Sequence, residues 1–127
     1  MRKILAAGVM AVALGVAGMA SAEPIKIGMI TTLSGGGAGL GVDVRDAFDL
    51  AMKKSGNKDI QIVTEDDAMK PELAVQIADK MLQSDHVDLM TGIIWSNLAM
   101  AVVPNVVAQA VIYLSPNAGP SALAAKN

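Results

Sequence analysis

Beyond Pro24 the spacing of apolar side chains switches repeatedly between short β-branched runs and the three-and-four spacing of an amphipathic helix. Ile25-Lys26-Ile27-Gly28-Met29-Ile30 predicts a strand. It opens into Leu33-Ser34-Gly35-Gly36-Gly37-Ala38-Gly39, a stretch too rich in glycine for a regular element, so a flexible loop is expected there. From Val42 to Ser55 the residues Val44, Ala47, Phe48 and Ala51 fall on one helical face. Asp43, Asp46 and Asp49 come early in that helix and Lys53 and Lys54 late, as the helix dipole favours, and Gly56-Asn57 ends it. The pattern then repeats. Ile60 to Thr64 reads as a strand, Glu65-Asp66-Asp67 as a polar turn, and Pro71 opens a helix striped by Leu73, Ala74, Ile77, Ala78, Met81 and Leu82. Val87 to Thr91 is a third strand, and Gly92 to Trp95 lead out of it. Ser96 and Asn97 offer N-caps for a third helix reaching about Ala110, which Pro104 is expected to kink or restart. Val111 to Leu114 forms a fourth strand that ends in Ser115-Pro116-Asn117-Ala118-Gly119-Pro120.

Strands alternating with helices of this length predict βαβ units: an α/β fold, with a parallel sheet of four strands and helices on both faces. In such a sheet every loop leaving the carboxyl end of a strand lies along one edge, and ligands bind in the crevice there. Leu33 to Gly41, Glu65 to Lys70, Gly92 to Asn97 and Ser115 to Ser121 are the four candidates.

Ahead of this pattern, Met1-Arg2-Lys3 place two positive charges before a run from Ile4 to Met19 without a charged or strongly polar side chain. The run closes on Ala20-Ser21-Ala22, which is the layout of a cleavable secretory signal peptide cut after Ala22. An uncleaved anchor fits less well, because a span needs about 20 apolar residues and Gly8, Gly15 and Gly18 weaken this shorter stretch. Loss of Arg2 and Lys3 leaves 8 of the 10 basic residues against 12 acidic ones, a net charge of −4. There is no basic cluster to track phosphates, which argues against a nucleic-acid partner. The chain has no cysteine, so disulfides and thiolate chemistry are excluded, and its one histidine, His86, argues against a His-based metal site.

The glycine loop follows a strand and precedes a helix, as a phosphate cradle would. No register from Gly35 to Gly41 completes G-x-G-x-x-G, however, and no Gly-Lys pair completes a P-loop. Glu65-Asp66-Asp67 is a carboxylate cluster of the kind that holds Mg²⁺. Neighbouring side chains leaving a strand diverge, though, so a solvated turn capping local N–H groups is the better reading. His86 sits in the polar link at the opposite edge, as a surface residue. Trp95-Ser96-Asn97 differs in kind. A helix start presents free N–H groups and positive potential to a carboxylate, and Trp95 can cover an apolar ligand body. Capping by Ser96 or Asn97 and core filling by Trp95 is the competing reading, and the two are compatible.

Several of these segments together resemble the amino-terminal part of periplasmic solute-binding proteins of the leucine/isoleucine/valine-binding family, which serve ABC importers. The matching pieces are Ile25 to Gly28 with Leu33-Ser34-Gly35; Glu65-Asp66-Asp67 with Pro71, Ala74 and Lys80; Val87-Asp88 with Gly92; and Ser115 to Gly119. The resemblance implies a binding protein with no catalytic chemistry and no cofactor. It also implies periplasmic residence without stable membrane insertion after signal cleavage, a small carboxylate ligand, and a membrane permease as partner. The family position that hydrogen-bonds the ligand carboxylate corresponds to Ser96, flanked by Trp95 and Asn97. The second ligand loop corresponds to Asn117, Ala118 and Gly119, and Ser34 of the first loop joins the candidate set. Amino-acid binders of the family often carry a small residue and then Thr where this chain has Ala118-Gly119. The hydroxyl that would meet an α-ammonium group is missing, which widens the expected ligand from a branched-chain amino acid to other small carboxylates, aromatic ones included. The resemblance also implies two lobes, so residues 23–127 read as part of the amino-terminal lobe and the chain as a fragment. The alternative from another class is an exported nucleotide-binding or flavodoxin-like enzyme using the Gly35 to Gly41 loop and Glu65 to Asp67.

Overall fold

The computed structural model describes residues 23–123, so the expected signal peptide at 1–22 lies outside the described residues. Four strands follow the short apolar runs, and each ends where a polar or glycine-bearing segment begins. They are β1 (Ile25–Thr31), β2 (Ile60–Asp66), β3 (Leu89–Thr91) and β4 (Ile112–Leu114), separated by α1 (Ala38–Ser55), α2 (Pro71–Lys80) and α3 (Ser96–Ala108). The strands form one sheet in the order β2-β1-β3-β4, parallel throughout. The expected α/β architecture is present, with β1 and β3 central.

Side chains alternate across the pleat, and the register decides what each helix covers. Gly28 pairs with Val63 and Met90, and Met90 with Tyr113. That row, with Ile30, faces α2 and α3, whose Ala74, Ile77, Leu98, Val102 and Val106 complete a continuous buried core. The other face carries Ile27, Leu89 and Ile112 in one row and Met29, Thr91 and Leu114 in the next. Here α1 is the cover, and it bears on the sheet through its first turn: Gly41 is its one buried residue. A β-carbon at Gly41 would lie 1.9 Å from the Thr32 carbonyl oxygen. Towards β4 the same face is open, with Ile112 66% and Leu114 55% exposed.

Several details differ from the sequence reading. Strand β3 begins at Leu89 rather than Val87 and β4 at Ile112 rather than Val111. Helix α1 begins at Ala38 rather than Val42, because Gly39 and Gly41 are helical and Gly41 is what lets the first turn approach Thr32. Strand β2 continues to Asp66, paired with Thr31, so two of the three acids expected in a turn belong to the strand. The helical stripe past Lys80 passes through a π-helical turn, Met81–Asp85, that ends at His86 in a left-handed conformation. Pro104 neither breaks nor restarts α3, which runs unbroken to Ala108; Pro104 and Met100, whose carbonyl loses its partner, both lie on the exposed side.

The close approach at Gly41 sets a test. Gly41→Ala is expected to lower the unfolding free energy in urea by about 3 kcal/mol, the upper range for overpacking, because backbone is in the way. Gly39→Ala, which meets nothing within 4 Å, is expected to raise it by about 0.5 kcal/mol through helix propensity. Equal effects from the two substitutions would refute this placement of α1.

Candidate functional site

The carboxyl ends of β1, β2 and β3 and the loop after β4 meet along one edge, and side chains tie these loops together. Asp66 Oδ1 accepts the Leu33 N–H at 2.8 Å and the Ala68 N–H at 2.9 Å. Asp67 Oδ1 accepts the Thr32 hydroxyl at 2.6 Å and the Met69 N–H at 2.9 Å. Thr32 Oγ1 in turn accepts the Trp95 indole N–H at 2.8 Å, which binds the loop after β3 to the loop after β1. The Asn117 amide donates to the Ile94 carbonyl at 2.9 Å and joins the loop after β4 to its neighbour.

The three consecutive acids therefore go three separate ways. Glu65 pairs with Lys80 at 2.7 Å on the surface; Asp66 holds the β1 loop; Asp67 is fully buried. A solvated turn was expected, and Asp67 corrects that expectation: alternation at the strand end turns it inward, where Thr32 receives it. Burial by itself would raise the Asp66 carboxyl, but hydrogen bonds from the Ser34 hydroxyl and from the Leu33, Ala68 and Ser34 amides outweigh it and hold the group below its ordinary value of 3.8. Ser34, a candidate ligand contact, thus serves Asp66 while remaining exposed.

At the start of α3 the cap position is held by Trp95, extended at φ −106° and ψ 132°, and no side chain caps the helix. Ser96 and Asn97 were expected as caps, but both are exposed within the first turn. The first helical bond runs from the Ala99 N–H to the Trp95 carbonyl, so the preceding amides open onto the edge with the positive end of the helix dipole. Trp95 is half-buried against the core, and its ring lies over Gly37, where a β-carbon would come within 2.6 Å of Cζ2 and 2.8 Å of the Met69 sulfur. That packing occupies the middle of the glycine loop. In the loop after β4, the Ala118 methyl is buried in the core and its carbonyl accepts the Ser115 hydroxyl. That residue can therefore offer a ligand only its backbone, whereas Gly119 is exposed.

Trp95, Ser96 and Asn97 thus share an edge with Asn117, Ala118 and Gly119 and form an open shelf. Beside it lies a largely apolar groove of about 350 Å³ between α1 and the two loops, lined by Leu40, Val44, Phe48, Ile94 and Pro116 with the polar Asp43 and Asn117. His86 is exposed at the opposite edge, near Glu23 and Pro24. Sequence reasoning missed Thr32, Gly37 and the Ile94 carbonyl, each of which acts only through a partner distant in the chain.

In a parallel sheet with helices on both faces, the loops gathered at the carboxyl edge are where ligands bind. The chain matches the periplasmic binding protein family over residues 24–127 and belongs to it. No curated protein matches it. Among solved structures it is similar to an ABC transporter substrate-binding protein from Sphaerobacter thermophilus, at 33% identity and a TM-score of 0.74 over 80% of this chain and 28% of that one. A solute-binding protein of an ABC transporter from R. palustris, in complex with benzoate, is 30% identical with a TM-score of 0.72 over 76% of this chain and 28% of that one. The branched-chain amino acid binding protein LivJ from Streptococcus pneumoniae, in complex with isoleucine, is 25% identical with a TM-score of 0.71 over 77% and 30%. The chain therefore spans less than a third of the length of these relatives. No helix among the described residues is long and apolar enough to cross a membrane.

The depressed Asp66 acidity predicts a pH dependence. A carboxyl whose folded pKa lies below its unfolded value stabilises the fold above about pH 4 and loses that contribution as pH falls through the folded pKa. Asp66→Asn is expected to flatten the urea midpoint against pH on this acidic side. An unchanged acid limb would show that the Asp66 hydrogen bonds do not hold the loop.

Proposed function

We propose that this chain forms the amino-terminal half of a ligand cleft in an exported, periplasmic component of an ABC importer, which captures a small carboxylate and passes it to a membrane permease without making or breaking a bond. The observation that carries the proposal is the uncapped start of α3 at the sheet edge, with Ser96 and Asn97 exposed beside half-buried Trp95. The N–H groups of the first turn and the Ser96 hydroxyl hold the carboxylate, Trp95 packs on the ligand body, and backbone groups near Asn117 to Gly119 complete this side. Relatives solved with benzoate and with isoleucine support both an aromatic acid and a branched-chain amino acid. The missing hydroxyl at Ala118-Gly119 favours the aromatic acid. The shelf is open, so a second lobe that closes over it would exclude water and strengthen the same hydrogen bonds. The rival reading, a nucleotide enzyme built on the glycine loop, is disfavoured by the packing of Trp95 on Gly37.

The geometry at Trp95 allows a selective test. An extended residue tolerates a following proline, and proline is accepted at the first helical position, so Ser96→Pro keeps α3 while removing both the Ser96 N–H and its hydroxyl. Titrated with benzoate, leucine and isoleucine and followed by the emission of the one tryptophan, Ser96→Pro is expected to bind at least about tenfold more weakly, as losing hydrogen bonds to a charged group implies. Ser96→Ala should lose less. A response to NAD, FMN or ATP with none to the carboxylates would overturn the transport reading.

A further inference from the structure

The buried end of β2 carries more apparatus than a turn requires. Asp67 is fully buried, its Oδ1 takes two donors, and its Oδ2 has no hydrogen-bond partner among the described residues. Leaving a buried acceptor half-used is unfavourable, so the position would suit an apolar residue better unless its geometry does something else. Two consequences follow from that geometry. One is directional: an indole N–H can only donate, and the Thr32 hydroxyl spends its hydrogen on Asp67, so its lone pair is left aimed at Trp95. The other concerns the turn. Ala68 and Met69 both adopt positive φ, 48° and 59°, a conformation unfavourable for non-glycine residues. Asp66 and Asp67 hold their two amides there, which brings the Met69 sulfur to the same point over Gly37 that the Trp95 ring reaches.

We propose that Thr32 and Asp67 are positioning residues for ligand recognition, and that the Trp95–Thr32–Asp67 hydrogen-bond chain sets the class of ligand by turning the indole N–H inward. With its only donor satisfied by Thr32, Trp95 offers a ligand carbon surface alone, so the shelf selects carboxylates with an apolar or aromatic body. This rests on the reading of the edge as a carboxylate site. Thr32 and Asp67 touch no ligand themselves; they act through Trp95, and Met69 closes the other side of Gly37.

The single tryptophan makes the chain directly observable. In the unaltered chain the indole N–H resonance is expected to exchange slowly with solvent, and exchange at the rate of free tryptophan would overturn the proposal without any variant. Thr32→Val keeps the shape and removes the hydroxyl. It is expected to shift tryptophan emission to the red, to raise acrylamide quenching about twofold or more, and to weaken benzoate binding about two- to tenfold, the range for one hydrogen bond. Thr32→Ser restores all three, whereas a merely structural role for Thr32 would leave emission and quenching unmoved. Unchanged emission and quenching in Thr32→Val would sink the positioning role whatever benzoate does. If the unaltered chain responds to neither benzoate nor leucine, the carboxylate site fails and the ligand-selecting half of this proposal fails with it. In that case the emission data still decide whether Thr32 fixes Trp95.

Discussion

A carboxyl group buried at the end of a strand must be given donors, and at Asp67 that requirement draws three loops together. The Thr32 hydroxyl comes from the exit of β1, the Met69 amide from the exit of β2, and through Thr32 the Trp95 indole comes from the exit of β3. Parallel strands with β1 at the centre put these exits side by side. The acid converts that proximity into fixed geometry. Asp66, one residue earlier and pointing the other way, holds Leu33 and Ala68 in the same manner. The fourth loop joins through Asn117 and the Ile94 carbonyl.

Packing beneath the edge explains why the candidate shelf is backed by a closed core on one side and open on the other. The face covered by α2 and α3 holds a continuous core in which Met90, Leu98, Val102 and Val106 are almost wholly buried. The face under α1 is closed near β1 by the contact at Gly41 and opens towards β4, where Ile112 and Leu114 stand exposed. The shelf that carries Trp95 to Asn97 is therefore anchored from the well-packed side.

The elements were readable because their signals are local. The stripe of Ala74, Ile77, Ala78, Met81 and Leu82 lies in the buried core as its spacing implies, and the alternation of strands and helices was enough to specify a parallel sheet. Two of the errors have their cause in tertiary contact, and the error at the start of α3 in local backbone. Glycines that read as loop at Gly39 and Gly41 are helical because the helix must touch Thr32. Acids that read as a solvated turn are pairing residues and a buried anchor. Ser96 and Asn97 look like caps by residue type, but the extended backbone of Trp95 takes the cap position and leaves both exposed. Trp95-Ser96-Asn97 was recognisable as a candidate site from its own letters. Thr32 was not, since a threonine following a strand carries no sign that an indole 63 residues away will donate to it.

The central claim is that small carboxylates are held at the uncapped start of α3, on the shelf that Asp67 organises. Backbone amide shifts of the isotopically labelled chain, followed by NMR as benzoate is added, test it most directly, because weak binding at an open shelf still moves the nearest amides. The account predicts the largest shifts at Ser96, Asn97 and Leu98, with smaller ones at Gly119 and at the Trp95 indole. Shifts centred instead on Gly35 to Gly37, or on Leu40 to Phe48 along the apolar groove, with the first turn of α3 unmoved, would contradict it.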